Sequence, residues 1–403
     1  MTSMNPTLPL ERELGQQIYR ALQGPVVEKI LHAAKDGSGA DYWRSRMEGH
    51  CMKVDKEILP EFHALCHEVK DRLNFKEPVD FYVTGDSSLN AFSVAAEEEG
   101  QPHIVNINSA MFGLMSNDEL RFVVGHELGH IINRDSALKR LIYFVFPPET
   151  SHLPITLQYK IRLHDQLAEL VADRYGYLAN GNRDACVTAF FKMASGLDLG
   201  KMNVSIEALL VDNRKRLEYF LNGKGLSRYD HPVNPIRVQA IDLFASAQDE
   251  QALEEGMADL INILLRVGDS PMDEDLSVFL ASAGLIVTNA DDNISEKEVE
   301  HIIQTLSGLQ IFPKQFLDAV AQADVPKLFE QSVQNILQQN PGMRNELLAY
   351  IINLVLADKE ISQSEIEFVY GFGNSIGLSE KEISVKFAEM IQQNFVPSLE
   401  SIV

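Results

Sequence analysis

Apolar positions recur every three to four residues from about residue 10 to residue 75, at Ile18, Leu22, Val26, Ile30 and Leu31 and again at Ile58, Phe62, Leu65, Val69 and Leu73. That is the period of helices with one buried face, so two or more helices are expected before the first strand. Between Val79 and Asn108 the pattern changes. The runs DFYVTG, LNAFSVAA and HIVNIN are short, β-prone and separated by Gly, Asp and Glu, which predicts a small sheet. Helical spacing returns from Ser116 to Asn133, opened by a Ser-x-x-Glu capping box of Ser116 with Glu119. A second long helix is expected over about Leu157 to Leu178, stopped near the Asn-Gly-Asn turn of residues 180–182, with more helix from Arg183 to Phe244.

After Ala247 the stretch QDEQALEEG changes the charge balance, and the remaining sequence becomes almost purely helical. The boundary is placed near residue 250. An internal echo follows: ADDNISEKEVE at 290–300 returns as ADKEISQSEIE at 357–367, 67 positions later, as two related halves of one domain would produce. The expected fold is therefore α+β. A mainly helical domain with a small sheet covers 1–250 (N-terminal helices about 10–75, core about 79–248), and an all-α domain covers 251–403.

At 403 residues and 45% hydrophobic content, the chain can bury a core in each domain. Its net charge of -23 opposes phosphate backbones and anionic lipid surfaces, so nucleic-acid binding is not expected. The acidity is concentrated: residues 249–403 carry 26 Asp and Glu against 8 Lys and Arg. Three scattered cysteines, Cys51, Cys66 and Cys186, do not form a disulfide framework. The N-terminal segment lacks a basic stretch followed by an apolar one, and the most apolar windows, Leu276 to Val287 and Leu347 to Leu356, fall short of the roughly 18 to 20 residues a bilayer requires. These features predict a soluble, cytoplasmic protein without transmembrane anchoring.

The candidate chemistry lies in VVGHELGH, where His126-Glu127-x-x-His130 puts two imidazoles on one helix face within reach of one tetrahedral cation. A catalytic zinc keeps three protein ligands and one exchangeable water, so a third ligand must come from elsewhere. In DQLAELVADRYG, Glu169 sits on the next long helix, with Asp173 one turn further along the same face. Glu169 is the expected third ligand of one zinc per chain, Asp173 the group that orients a ligand histidine, and Glu127 the general base.

His-Glu-x-x-His followed by Glu-x-x-Ala-Asp resembles the gluzincin peptidases related to the HtpX heat-shock protease and the CAAX prenyl proteases. LNAFSV at Leu89 to Val94, HIVNINSAMFGLMSNDEL before the first histidine, and His231-Pro232 with Arg237 are similar to further elements of that family, together covering roughly residues 80–240. The resemblance implies that the strand of Asn90, Ala91 and Phe92 borders the cleft and pairs with an extended substrate. It also implies that His231 stands near the developing oxyanion. Arg237 is expected to pair with buried carboxylates of the site, Asp173 among them. Many familiar members carry transmembrane helices, and here the chain departs from them.

Other patterns are weaker. His63 and His67 repeat the i, i+4 spacing around Cys66 but lack a partner acid, and read as helix surface. Cys51 reads as a small buried residue rather than a thiolate latch on the metal. The acidic repeats do not fit calcium loops, because Glu296 stands where an EF-hand needs glycine; Ser295 with Glu298 and Ser362 with Glu365 form capping boxes instead. With GLSEKEI later in the chain, these repeats resemble TerB-like helical domains of tellurite-resistance and stress proteins, which implies a partner-binding or regulatory module. The expected function is zinc-dependent endopeptidase action on polypeptides, in protein quality control or stress response. The competing reading is an inactive or structural zinc-binding protein whose helical domain recruits partners.

Overall fold

The computed structural model describes residues 4–34, 40–96, 100–147, 153, 155–221, 231–265, 270–288, 314–356 and 361–394. The architecture is α+β and mainly helical, with one four-stranded sheet. The described residues gather into two compact units: those of the first fall within 1–149, 163–223 and 229–261, and those of the second within 150–162 and 262–403.

The first unit begins with α1 (Pro9–Ala21), α2 (Gly24–Ala34) and α3 (Ala40–His50), then the short β1 (Met52–Lys53) and α4 (Pro60–Arg72). Proline opens α1 and α4, where its missing N–H costs nothing. Leu14 and Ile18 of α1 are fully buried, as the helical period requires. The sheet adds β2 (Val79–Thr84), β3 (Ala91–Val94) and β4 (His103–Asn108) in the order β1-β2-β4-β3. Strands β2 and β4 run parallel, and β3 lies antiparallel to β4 with Phe92 opposite Asn106. Every residue of β4 is buried, in keeping with its central place, whereas β3 is an edge.

After the short α5 (Ala110–Leu114) comes α6 (Asn117–Asn133), capped as its sequence predicts: Glu119 N–H donates to Ser116 Oγ at 3.3 Å, and Ser116 N–H to Glu119 Oε2 at 2.7 Å. Glu119 also receives the buried Lys192 Nζ at 2.7 Å. Helix α6 ends at Arg134, whose φ of 61° is left-handed, and the chain turns at once into α7 (Asp135–Val145). Then follow α8 (Ile155–Asn180), α9 (Arg183–Ser195), α10 (Ile206–Leu221) and α11 (Asn234–Ser246).

Helices α6 and α8 meet through glycine. A Cβ on Gly125 would stand 2.4 Å from that of Ala179, and one on Gly129 would stand 2.9 Å from the Cβ of Tyr175 and 3.0 Å from the Cα of Ala172. Only hydrogen fits at either position, so the two backbones approach closely enough for short side chains on one helix to meet those on the other.

Helix α12 (Glu250–Leu264) is followed in the second unit by α13 (Pro271–Thr288), α14 (Lys314–Ala321), α15 (Val325–Gln339), a 3-10 turn (Pro341–Met343), α16 (Arg344–Val355), α17 (Gln363–Ser375) and α18 (Glu380–Asn394). Among its described residues this unit is helical, around a core that includes Phe279, Phe329, Leu348, Ile351 and Phe372. Ser362 and Glu365 form the expected capping box. The corresponding Ser295 and Glu298, together with the rest of 290–300, lie outside the described residues.

Candidate metal centre

His126, Glu127 and His130 project from α6, and Glu169 and Asp173 from α8. The Nε2 atoms of His126 and His130 are 3.1 Å apart; Glu169 Oε2 is 3.6 Å from the first, and Glu169 Oε1 is 3.4 Å from the second. Tetrahedral ligands about 2.05 Å from a zinc ion stand about 3.3 Å from one another, which matches this triangle. The donor set fits as well. Glu169 Oε2 is buried without a hydrogen-bond partner, and two imidazole nitrogens facing each other at 3.1 Å repel unless something positive lies between them.

Both histidines are aimed by carboxylates on their far nitrogens. His126 Nδ1 donates to Asp173 Oδ1 at 2.9 Å, and His130 Nδ1 donates to Asp135 Oδ2 at 2.7 Å. These bonds fix the tautomer that presents Nε2 to a cation and make each imidazole a better donor to it. Asp173 is fully buried and held in turn by Arg237, with Nε at 2.8 Å from Oδ2 and Nη2 at 2.6 Å from Oδ1. Arg237 also stands 3.4 Å from Glu169 Oε2 and lies over the Phe190 ring.

The charges follow from these contacts. Burial alone would raise the pKa of Asp173, but the guanidinium of Arg237 and its hydrogen bonds, with His126, bring it down to about 2. Glu169 is lowered for similar reasons: Arg237, His126, His130 and His231 together outweigh its desolvation. Burial disfavours charge on His130, yet the hydrogen bond to Asp135 and the fields of Glu169, Asp135 and Glu127 lift it to about 9. The site therefore attracts positive charge at its centre.

A cleft of about 330 Å³ opens over this triangle, lined by His126, Glu127, Glu169, His231, Arg237 and the edge of the sheet from Asn90 to Ser93. Asn90, Ala91 and Phe92 thus border the same space as the two histidines. His231 stands exposed at the rim, with Nε2 3.3 Å from Glu169 Oε1, and also lines a neighbouring groove with Tyr219, Phe220 and Pro232. Cys51, His63, Cys66 and His67 are not among the residues that line the cleft. Cys51 Sγ pairs with Thr84 Oγ1 at 3.1 Å, and His63 and His67 bond to each other at 3.1 Å on an exposed face of α4 while Cys66 is buried.

Sequence spacing missed Asp135. Its signal was present, since it opens the helix after His130, but only the left-handed turn at Arg134 brings its carboxylate back to that histidine. Lys139, which lines the cleft from the next turn of α7, was missed in the same way.

Two imidazoles aimed by carboxylates, with a third carboxylate closing their triangle beneath a cleft edged by a free strand, are the arrangement found in metal-dependent proteases. Comparison with known proteins agrees. Residues 59–153 match peptidase family M48, a stretch that holds both histidines and ends before Glu169. The plastoglobule-localized metallopeptidase 48 of Arabidopsis thaliana is 23% identical over 247 residues, covering 58% of this chain and 67% of that protein. Protease HtpX homologues of Thermoplasma volcanium (34% identical over 86 residues, 21% of this chain and 27% of that protein) and Salinibacter ruber (30% over 103 residues, 24% and 36%) are also similar. The chain is similar to the HtpX-like metallopeptidases of family M48, and it spans only about a quarter to a third of the HtpX homologues it matches. Among the described residues no helix is long and apolar enough to cross a membrane.

Proposed function

We propose that the chain is a zinc-dependent metalloendopeptidase, with one zinc per chain held by His126, His130 and Glu169. The observation that carries this is the pair of carboxylate–histidine contacts, Asp173 on His126 and Asp135 on His130, which leave both Nε2 atoms facing Glu169. When bound, the zinc supplies Lewis acidity to the scissile carbonyl and lowers the pKa of its water.

Glu127, buried and lining the cleft beside both histidines, takes the proton of the attacking water and passes it to the leaving amine. His231 at the rim donates a hydrogen bond to the oxygen that becomes negative, a contribution of a few kcal/mol in comparable sites. Asp173 and Arg237 hold His126 and Glu169 in place so that neither must reorganise during the reaction. The backbone of Asn90, Ala91 and Phe92, at the free edge of β3, pairs with an extended polypeptide and draws it across the cleft.

The peptidase domain is assigned to about residues 1–250. The acidic helical domain of 251–403, of TerB-like character, is assigned a regulatory or partner-binding role, and the protein a place in cytoplasmic quality control or stress response. New N-termini in cell lysates treated with wild-type or Glu127→Ala protein test this function. Cleavage products unique to the wild type are expected. Identical sets would leave only the competing reading, a structural zinc protein that recruits partners.

A further inference from the structure

Helix α1 carries a glutamate into the interior. Glu11 is 4% exposed, and its Oε1 accepts from Asn133 Nδ2 at 3.1 Å. The same Asn133 nitrogen donates to Asp135 Oδ1 at 2.7 Å, while the other oxygen of Asp135 holds His130 Nδ1. A continuous line of hydrogen bonds thus runs from the start of the chain to a proposed zinc ligand. The same oxygen of Glu11 also meets the buried His164, whose Nε2 lies 3.1 Å from Oε1, while Oε2 is buried without a hydrogen-bond partner. Gly15, one turn along α1, permits this contact, since a Cβ there would stand 3.2 Å from His164 Nε2. A glycine inside a helix is less favourable than alanine, and here the missing side chain lets α1 lie against His164 of α8.

Glu11, Asp135 and His164 also bring three ligand-type atoms within 4.8 Å of one another, a geometry that could hold a second cation. Asn133 argues against that use. Its amide donates to one oxygen of each carboxylate and so bridges the pair without a cation. The cluster is arranged to fix the carboxamide, and the carboxamide to fix Asp135.

We infer that Glu11 is a positioning residue for His130, acting through Asn133 and Asp135, so that the first helix of the chain sets the affinity of the metal centre. Outer partners of metal ligands typically change metal affinity by about 10- to 100-fold when removed. Glu11 stands further out, so an effect near the lower end is expected. This rests on the zinc reading of the site.

The test is zinc affinity of the full-length protein, measured by competition with a chromophoric chelator, together with the visible spectrum of the cobalt-substituted form. Glu11→Gln and Asn133→Ala are each expected to weaken zinc by roughly 10-fold and to shift the cobalt bands. Leu14→Ala, which loosens the packing of α1 without touching the line of hydrogen bonds, is expected to lower Tm and leave both readouts unchanged. Should Glu11→Gln fail to fold, Asn133→Ala carries the test with α1 intact.

Unchanged affinity and spectrum in the folded variants would overturn the inference, as would an equal loss in Leu14→Ala. A second ion per wild-type chain, lost in Glu11→Gln, would overturn it in favour of a second metal site. A wild type that binds no divalent ion would overturn the reading of the centre itself, and the inference with it.

Discussion

At the scale of single residues, the proposed zinc centre depends on groups set behind its histidines. Asp173 balances a buried Arg237 and aims His126, so Asp173→Asn removes one of the two carboxylates, the other being Glu169, that face a buried guanidinium. Breaking a buried pair costs about 3–5 kcal/mol, and losing an outer partner of a metal ligand lowers affinity by about 10- to 100-fold. Asp173→Asn should therefore show both a lower Tm and weaker zinc binding, whereas Glu127→Gln should weaken neither measurably. Zinc content after dialysis and thermal melting read the two apart; equal zinc retention in both would count against the role given to Asp173. The sequence made much of this visible: Glu127, His126, His130, Glu169 and Asp173 are at helical spacings that a periodic pattern exposes. Asp135 and Glu11 were hidden, because their contacts depend on a left-handed turn and on how a distant helix docks, and neither leaves a period behind.

Among elements, the pairing of α6 with α8 decides whether Glu169 reaches the histidines. Gly125→Ala would force a Cβ to within 2.4 Å of Ala179, and overpacking of this kind typically costs about 1–3 kcal/mol. The expected outcome is a lower Tm together with weaker zinc binding, since the helices must part; a destabilised variant with undiminished zinc affinity would show that the close approach serves stability alone.

The docking of α1 has a pH signature of its own. Burial disfavours charge on His164, but hydrogen bonds with Asp165 and Glu11 and the fields of Glu11 and Asp135 lift its pKa to about 9. A raised histidine stabilises the fold fully below its unfolded value of about 6.5, and the contribution fades as pH rises through about 9. It amounts to at most about 3 kcal/mol. Chemical denaturation of the zinc-free protein at pH 6 and pH 9 should show this loss, and His164→Gln should reduce it, leaving the part that the similarly raised His130 contributes. Most of the helices and three of the strands were legible from periodicity and turn residues, whereas α5 and α7 were not. The order of the sheet, which makes β3 an edge, was not, because period-2 patterning gives faces and says nothing of neighbours.

For the molecule as a whole, charge and composition separated an acidic C-terminal part from a nearly balanced remainder, and the described residues of the second unit are helical around an aromatic core. The match to family M48 stops at residue 153, so Glu169, Asp173, His231 and Arg237 join the site through the fold rather than through that match. In the proposed function these residues, with His126, His130 and Glu127, form a working zinc peptidase. Its most direct measurement is the rate at which an unfolded polypeptide is cleaved by wild-type and Glu127→Ala proteins matched for bound zinc. Wild-type cleavage should vanish with a chelator and return with zinc, and the Glu127→Ala rate should fall by about 100-fold or more. Full activity in Glu127→Ala at equal zinc content would contradict it.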